Sequence, residues 1–274
     1  MRLPFHQALK RLLVNAFSST SVSPAVVAQR LMKSVYRPCS KQEGRAFAEW
    51  LECRGISRLV HFTPLANVPK IMQFGLIPRE YLELELVQLA LGSQFTDGQR
   101  LEGLPHFSCL SITSPNYAMF YGKRSTQGGK WAVLEYDARV LSRFHFSFTP
   151  TNAAASGVQA ASGLAGAEQL FVLPMLREKL ALQPCEPTDP QAESLCDSVL
   201  APEYVTGVYV EQHSDAQWLS GQGISASINR EFFMPRRDYK SWQGQRITQL
   251  PDWRLSAAEL HTGGDCGKAP GLHF

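Results

Sequence analysis

Apolar residues along this chain come in short runs whose period changes repeatedly. Leu3, Phe5, Leu9, Leu12, Leu13 and Phe17 recur near helical spacing, predicting an amphipathic helix over 1–17. Such a helix can dock on a domain or lie on a membrane surface. A polar linker follows, then helices over 25–35 and 41–53, the second ending at Gly55. The stretch RLVHFTPLANVPKIMQFGLIP (58–78) opens with apolar Leu59 and Val60 and places His61 at the end of a short strand. Thr63 reads as an N-cap and Pro64 as the first helical residue. Leu65, Val68, Ile71 and Met72 form the inward face of that helix, and Gly75 ends it.

Beyond it, a helix is expected over 80–91, then a polar loop, GSQFTDGQRLEGLPH. CLSIT (109–113) reads as a strand, PNYAMFYGKR (115–124) as a helix starting at Pro115, and WAVLEY (131–136) as a continuously apolar strand. Val140 and Leu141 suit one helical turn. Phe144, Phe146 and Phe148 alternate like a half-buried strand. Residues 149–166 are Ala-, Gly- and Ser-rich, the composition of a long mobile surface loop. A short helix or strand over 168–173, a turn at 186–190 and a strand over 204–211 complete the pattern. Strands that do not alternate regularly with helices indicate an α+β fold rather than a doubly wound sheet. The expected organisation is an N-terminal helical extension (1–55), a domain (56–235) and a loosely held tail (236–274).

Composition narrows the class. With 44% apolar and 19% charged residues the chain can bury a core. A net charge of +3 is compatible with nucleic-acid binding without requiring it. Six scattered cysteines form no C-x-x-C pair, which argues against structural zinc and suits a reducing compartment. No apolar run has the length of a membrane span, and Lys10 and Arg11 interrupt any signal-peptide core. The expected location is the cytoplasm. Phosphate-loop, dinucleotide-fold and nucleophile-elbow motifs are absent.

Four segments carry a resemblance. LVHFTPLANVPKIMQFGLIP, TDGQRLEG, SITSPNYAMFYGKR with WAVLEYD, and TNAAAS followed by DPQAESL occur in the order found in the DarT family. That family resembles ADP-ribosyltransferases and uses NAD to modify a base in single-stranded DNA. The likeness spans roughly residues 56–233. It implies the ADP-ribosyltransferase α+β fold, with two small sheets split around an NAD cleft.

The resemblance also implies roles. His61 and Thr63 match the first NAD-contacting motif, and Asn67 either supports that contact or lies on the helix surface. Arg100 matches the catalytic arginine, whose guanidinium can hold a diphosphate or orient a base; alone, it reads as a solvated loop residue. Asn116, Tyr117 and Tyr121 would line the nicotinamide side of the cleft, although 117 and 121 share a face that a core helix would also use. Glu193 matches the catalytic glutamate. One carboxylate can stabilise the positive charge developing on a ribose and accept a proton from a base, so no metal is needed. Thr151, Asn152, Thr188 and Asp189 are candidates for holding the nucleic acid.

The implied activity is transfer of ADP-ribose from NAD to a base of single-stranded DNA, thymine first and guanine second, by a toxin paired with a macrodomain antitoxin. Transfer to RNA or protein, or an inactive module that only binds NAD or nucleic acid, are the alternatives.

Overall fold

The computed structural model describes residues 26, 33, 35–82 and 106–242. The segment 1–17, nearly all of 25–35, Arg100 with its loop and the tail beyond 242 lie outside the described residues. Helix α1 (Lys41–Arg54) is capped by Ser40, whose hydroxyl accepts from the Glu43 N–H at 3.2 Å. Gly55, at φ +63°, ends it by donating its N–H to the Glu52 carbonyl. Its buried face carries Phe47, Trp50 and Leu51. Phe47 meets Phe148 of the sheet with ring centroids 6.1 Å apart, so this helix shares the sheet's core.

Among the described residues eight strands form one open sheet in the order β5-β4-β6-β2-β1-β3-β7-β8. They are β1 (Arg58–Pro64), β2 (Ser108–Ile112), β3 (Trp131–Asp137), β4 (Phe146–Thr149), β5 (Ala161–Ser162), β6 (Glu193–Cys196), β7 (Val205–Val210) and β8 (Ser227–Ile228). The two small sheets expected from the resemblance are thus joined, and β2 joins them. Its Ser108, Cys109 and Leu110 pair with β6, whereas Ser111 and Ile112 pair with β1.

Strand β1 runs further than its sequence suggests. All seven of its residues pair with β3, from Arg58↔Asp137 to Pro64↔Trp131. His61 is therefore inside the strand, and Thr63 and Pro64 are ladder residues rather than helix cap and first turn. A 3-10 turn (Leu65–Asn67) follows, then α2 (Val68–Phe74), with Asn67 at the N-cap position. The long partner strand outweighs the local capping signal. Gly75 adopts φ +86°, and a Cβ there would sit 2.6 Å from the Leu200 carbonyl oxygen. That approach lets Leu76 and Leu200 exchange hydrogen bonds of 2.8 and 3.0 Å.

A short helix α3 (Arg79–Leu82) precedes β2, and α4 (Tyr117–Gln127) follows it, starting after Asn116 rather than at Pro115. Neighbouring residues of the central strands enter opposite cores. Leu59 and Leu134 pack with Tyr136, Phe146 and Phe148; Val60 and Val133 pack with Phe120, Trp131, Phe232 and Phe233. A sheet covered on both faces explains the unbroken apolar run of β3. It also explains β4, which is buried on both faces rather than half-buried, with Ser147 and Thr149 as inaccessible as Phe146 and Phe148.

The segment expected to be one long mobile loop contains β5 and α5 (Gly163–Glu168), and its Thr151 and Ala153 are buried. Helices α6 (Pro174–Lys179), α7 (His213–Ser220) and α8 (Tyr239–Trp242) complete the described chain. The stretch 236–242, expected to be loose, is partly anchored: Arg236 and Asp238 form an ion pair with side chains 5% and 1% exposed.

Candidate active site

Glu193 opens β6, with Thr149 of β4 as its register partner. The residue is 2% exposed. A carboxylate at that depth needs donors on both oxygens. Oε1 accepts from Asn116 Nδ2 at 3.2 Å, and Oε2 accepts from the Ala153 backbone N–H at 3.3 Å. Both donors come from far along the chain, so the carboxylate is held by tertiary structure.

Asn116 uses every group it has. Its Nδ2 also donates to the Gln191 carbonyl at 3.4 Å, and its Oδ1 accepts from Met119 N–H at 3.2 Å as the N-cap of α4. Its own N–H donates to Ser111 Oγ on β2. The residue is 1% exposed.

The turn before Glu193 is knotted by hydrogen bonds. Asp189 Oδ1 accepts from Gln191 N–H at 2.8 Å, and the Asp189 carbonyl accepts from Ala192 N–H. Thr188 N–H donates to the Leu170 carbonyl, and its hydroxyl donates to the Val172 carbonyl at 2.6 Å. Arg236 donates to the carbonyls of Pro187 and Thr188 at 2.6 and 3.0 Å. Burial pushes the Asp189 carboxyl above the ordinary aspartate value. It faces the Thr151 hydroxyl, but Thr151 Oγ1, Asp189 Oδ2 and Thr149 Oγ1 are buried without completing a hydrogen bond.

On β1, His61 Nδ1 lies 2.9 Å from the Cys109 carbonyl. A carbonyl can only accept, so Nδ1 carries the hydrogen of this bond. The bond spans β1 and β2 beside Val60↔Ser111, the second of their two register pairs. Asn67 Nδ2 donates to Thr63 Oγ1 at 3.1 Å. On α4, Tyr117 and Tyr121 stack with centroids 5.8 Å apart, and Tyr239 meets Tyr117 edge-on at 5.4 Å. Burial, then Tyr121 and Tyr239, raise the Tyr117 hydroxyl's pKa. Tyr121 is 56% exposed, an aromatic face open to solvent one turn along α4 from Tyr117.

A protein-family model described as "DarT: ssDNA thymidine ADP-ribosyltransferase, DarT" matches residues 60–234. The chain belongs to the DarT family. No curated protein sequence matches it. Among solved structures it is similar to Thermosipho africanus DarTG in complex with ADP-ribose, at 20% identity and a TM-score of 0.45. That match covers 66% of this chain and 52% of the other, so the chain spans about half of that protein's length. Thermus sp. 2.9 DarT in complex with NAD+ matches at 15% identity and TM-score 0.45, over 65% of this chain and 98% of that one. The same protein in complex with ADP-ribosylated ssDNA matches at 14% and 0.45, over 66% and 97%.

In this DarT chain the residues singled out from the sequence fall into three groups. Glu193 and Asn116 touch directly, and Thr151 and Asp189 belong to the surrounding polar layer. Thr63 with Asn67, and Tyr117 with Tyr121, form two pairs on neighbouring elements, and His61 is tied to β2. The hydroxyl of Thr188 is committed to Val172, and Asn152 Oδ1 to the Ala154 N–H, both within the protein. Arg100 lies outside the described residues. Sequence reasoning missed the Ala153 N–H, because any residue supplies one, and Arg177, which donates to the Glu186 carbonyl at 2.6 Å and to Thr188 Oγ1 at 3.3 Å. It left Arg236 unassigned, since Arg236-Arg237 looks like any basic dipeptide. Among the described residues no cluster of metal ligands exists.

Proposed function

We propose that this chain transfers ADP-ribose from NAD to thymine in single-stranded DNA, releasing nicotinamide, with Glu193 as the catalytic carboxylate. NAD supplies an ADP-ribosyl group whose bond to nicotinamide breaks with the electron pair leaving on the ring nitrogen. Glu193 supports that step by placing negative charge where the ribose carbon becomes positive. The base nitrogen then bonds to that carbon and its proton passes to the Glu193 carboxylate. In a thymidine the N3 nitrogen carries the base's sole N–H, so N3 is the nucleophile. Single-stranded DNA suits a buried carboxylate because its bases need no unpairing.

The observation that carries the reading is the carboxylate itself, 2% exposed and held by Asn116 and the Ala153 N–H. An ionised group is kept that deep only when its donors are fixed. Buried, unsatisfied Thr149, Thr151 and Asp189 oxygens around it fit a ligand rich in hydroxyls and base edges. His61, oriented by Cys109, is assigned by its motif to the ribose beside nicotinamide; Thr63 and Asn67 shape the start of α2. Arg100 is assigned by its motif to the diphosphate or the incoming base. Asn116 acts as a positioning residue through Glu193.

An enzyme that modifies DNA bases harms its host, so the reading includes toxicity, a macrodomain antitoxin partner and action in the cytoplasm. Among the described residues no helix is long and apolar enough to cross a membrane.

Intact-mass analysis of single-base oligonucleotides after incubation with NAD tests this. One ADP-ribose added to thymine-containing DNA by the wild type, and none by Glu193→Ala, is the expected result. Label on guanine-only DNA moves the acceptor. Nicotinamide release with no DNA product points to RNA or protein, and neither product leaves a binding module.

A further inference from the structure

The Phe171 ring gathers more cations than the fold can satisfy. The guanidinium carbon of Arg54, in the last turn of α1, lies 4.2 Å from the Phe171 centroid and 5.5 Å from that of Trp50. Arg177 of α6 lies 5.2 Å from the same Phe171 centroid. Arg177 is spoken for, donating to the Glu186 and Gln183 carbonyls and to Thr188 Oγ1. Among the described residues the Arg54 side chain makes no hydrogen bond and no ion pair, and exposed Glu168 is near enough to be felt without pairing. The Trp50 Nε1–H beside it is buried and also lacks an acceptor.

Half-burying two mutually repelling guanidiniums is costly unless an anion joins them. Burial, then repulsion from Arg54 and Arg236, brings Arg177 down to about 10. Cation–π contact with Phe171 offsets part of that cost but uses none of Arg54's N–H donors. The ring also adjoins the active-site turn. Thr188 N–H bonds to Leu170, the Thr188 hydroxyl bonds to Val172 on the other side of Phe171, and Glu193 follows five residues later.

Resting on the DNA-modifying reading, we propose that Arg54 binds a backbone phosphate of the single strand. Phe171 and Trp50 fix the guanidinium plane, and Arg177 adds positive potential while holding the turn. The planar fork of an arginine matches phosphate oxygens bidentately. Arg54 precedes the family-matched residues 60–234, so this contact belongs to what α1 adds to the domain. The same chemistry could come from the diphosphate of NAD, and the test separates the two.

The full chain is titrated, without NAD, against a labelled thymine-containing strand of about ten nucleotides over a salt series. Arg54→Gln is expected to weaken binding about fivefold and to cut the slope of log Kd against log salt by about 0.7, one phosphate's share in a single strand. Arg54→Lys keeps the slope, which a purely structural role would not require. KM for NAD in nicotinamide release stays at the wild-type value. An unchanged slope in Arg54→Gln overturns the proposal, and so does a rise in KM for NAD with strand binding intact. Arg54-dependent strand binding by a wild type that transfers nothing to DNA supports this contact while sinking the proposed reaction.

Discussion

Asn116 Nδ2 lies 3.2 Å from Glu193 Oε1, across 77 residues of chain. The same side chain caps α4 through Met119, so one amide fixes both the start of a helix and the reach of a carboxylate. Two substitutions separate these duties. Asn116→Ala removes both, and about 1 kcal/mol of stability should go with the cap. Transfer should fall about a hundredfold, because a displaced carboxylate loses alignment with the reacting carbon.

Asn116→Asp keeps an acceptor for Met119 but sets a second carboxylate against Glu193. Two such groups in contact do not both ionise easily, and one is forced to keep its proton. A shared proton restores a donor between them. Single-turnover transfer should therefore collapse at neutral pH and recover relative to wild type as pH falls. Transfer at the wild-type rate at every pH would show that Asn116 serves only as a cap.

Arg236 and Asp238 are a buried pair, and the arginine also serves the Pro187 and Thr188 carbonyls. Removing the arginine breaks a buried ion pair and two hydrogen bonds to carbonyls at once. Arg236→Gln should cost about 3–5 kcal/mol. The double change Arg236→Gln with Asp238→Asn should recover part of it, and denaturant unfolding of the three variants measures both.

Asp189 affects stability with a definite sign. Burial raises its carboxyl in the folded protein, the first cause, against weaker help from Gln191, Thr151 and Arg236, while Asp238 raises it further. The folded state therefore binds that proton more tightly than the unfolded chain. Stability from this group is greatest below the unfolded aspartate value and declines as pH rises through the folded one. Asp189→Asn retains an oxygen for Gln191 N–H and removes the ionisation. Its melting temperature should exceed wild type at neutral pH, with the advantage vanishing in acid.

Gly75→Ala should be destabilising by about 1–3 kcal/mol, because φ +86° strains an alanine and its Cβ would press on the Leu200 carbonyl. A melting temperature within a degree of wild type would mean that the Leu76–Leu200 bridge yields without cost.

Much of this was readable from local pattern. The helix expected over 41–53 is Lys41–Arg54, ended by Gly55 as its sequence implies. WAVLEY and the run over 204–211 are strands because apolar β-formers dominate them. What escaped depends on partners distant in sequence. ESLC has little strand character of its own and becomes β6 because β2 and β4 pair with it from both sides. Thr63-Pro64 carries a helix-start signal that the β3 ladder overrides. The site divides likewise: motif identity pointed to Glu193 and Asn116, whereas the Ala153 N–H and the Arg236 anchor are products of folding.

The Arg236 anchor has a consequence for synthesis. Strand β6 is complete once Cys196 has emerged, yet the turn before it is tied down by residues 236 and 238. A ribosome that stalls between those points holds a chain with its carboxylate but without its brace. On the proposed reaction, the brace for Glu193 is thus translated after the residue it braces, and a chain ended before Arg236 should transfer less ADP-ribose than the full chain.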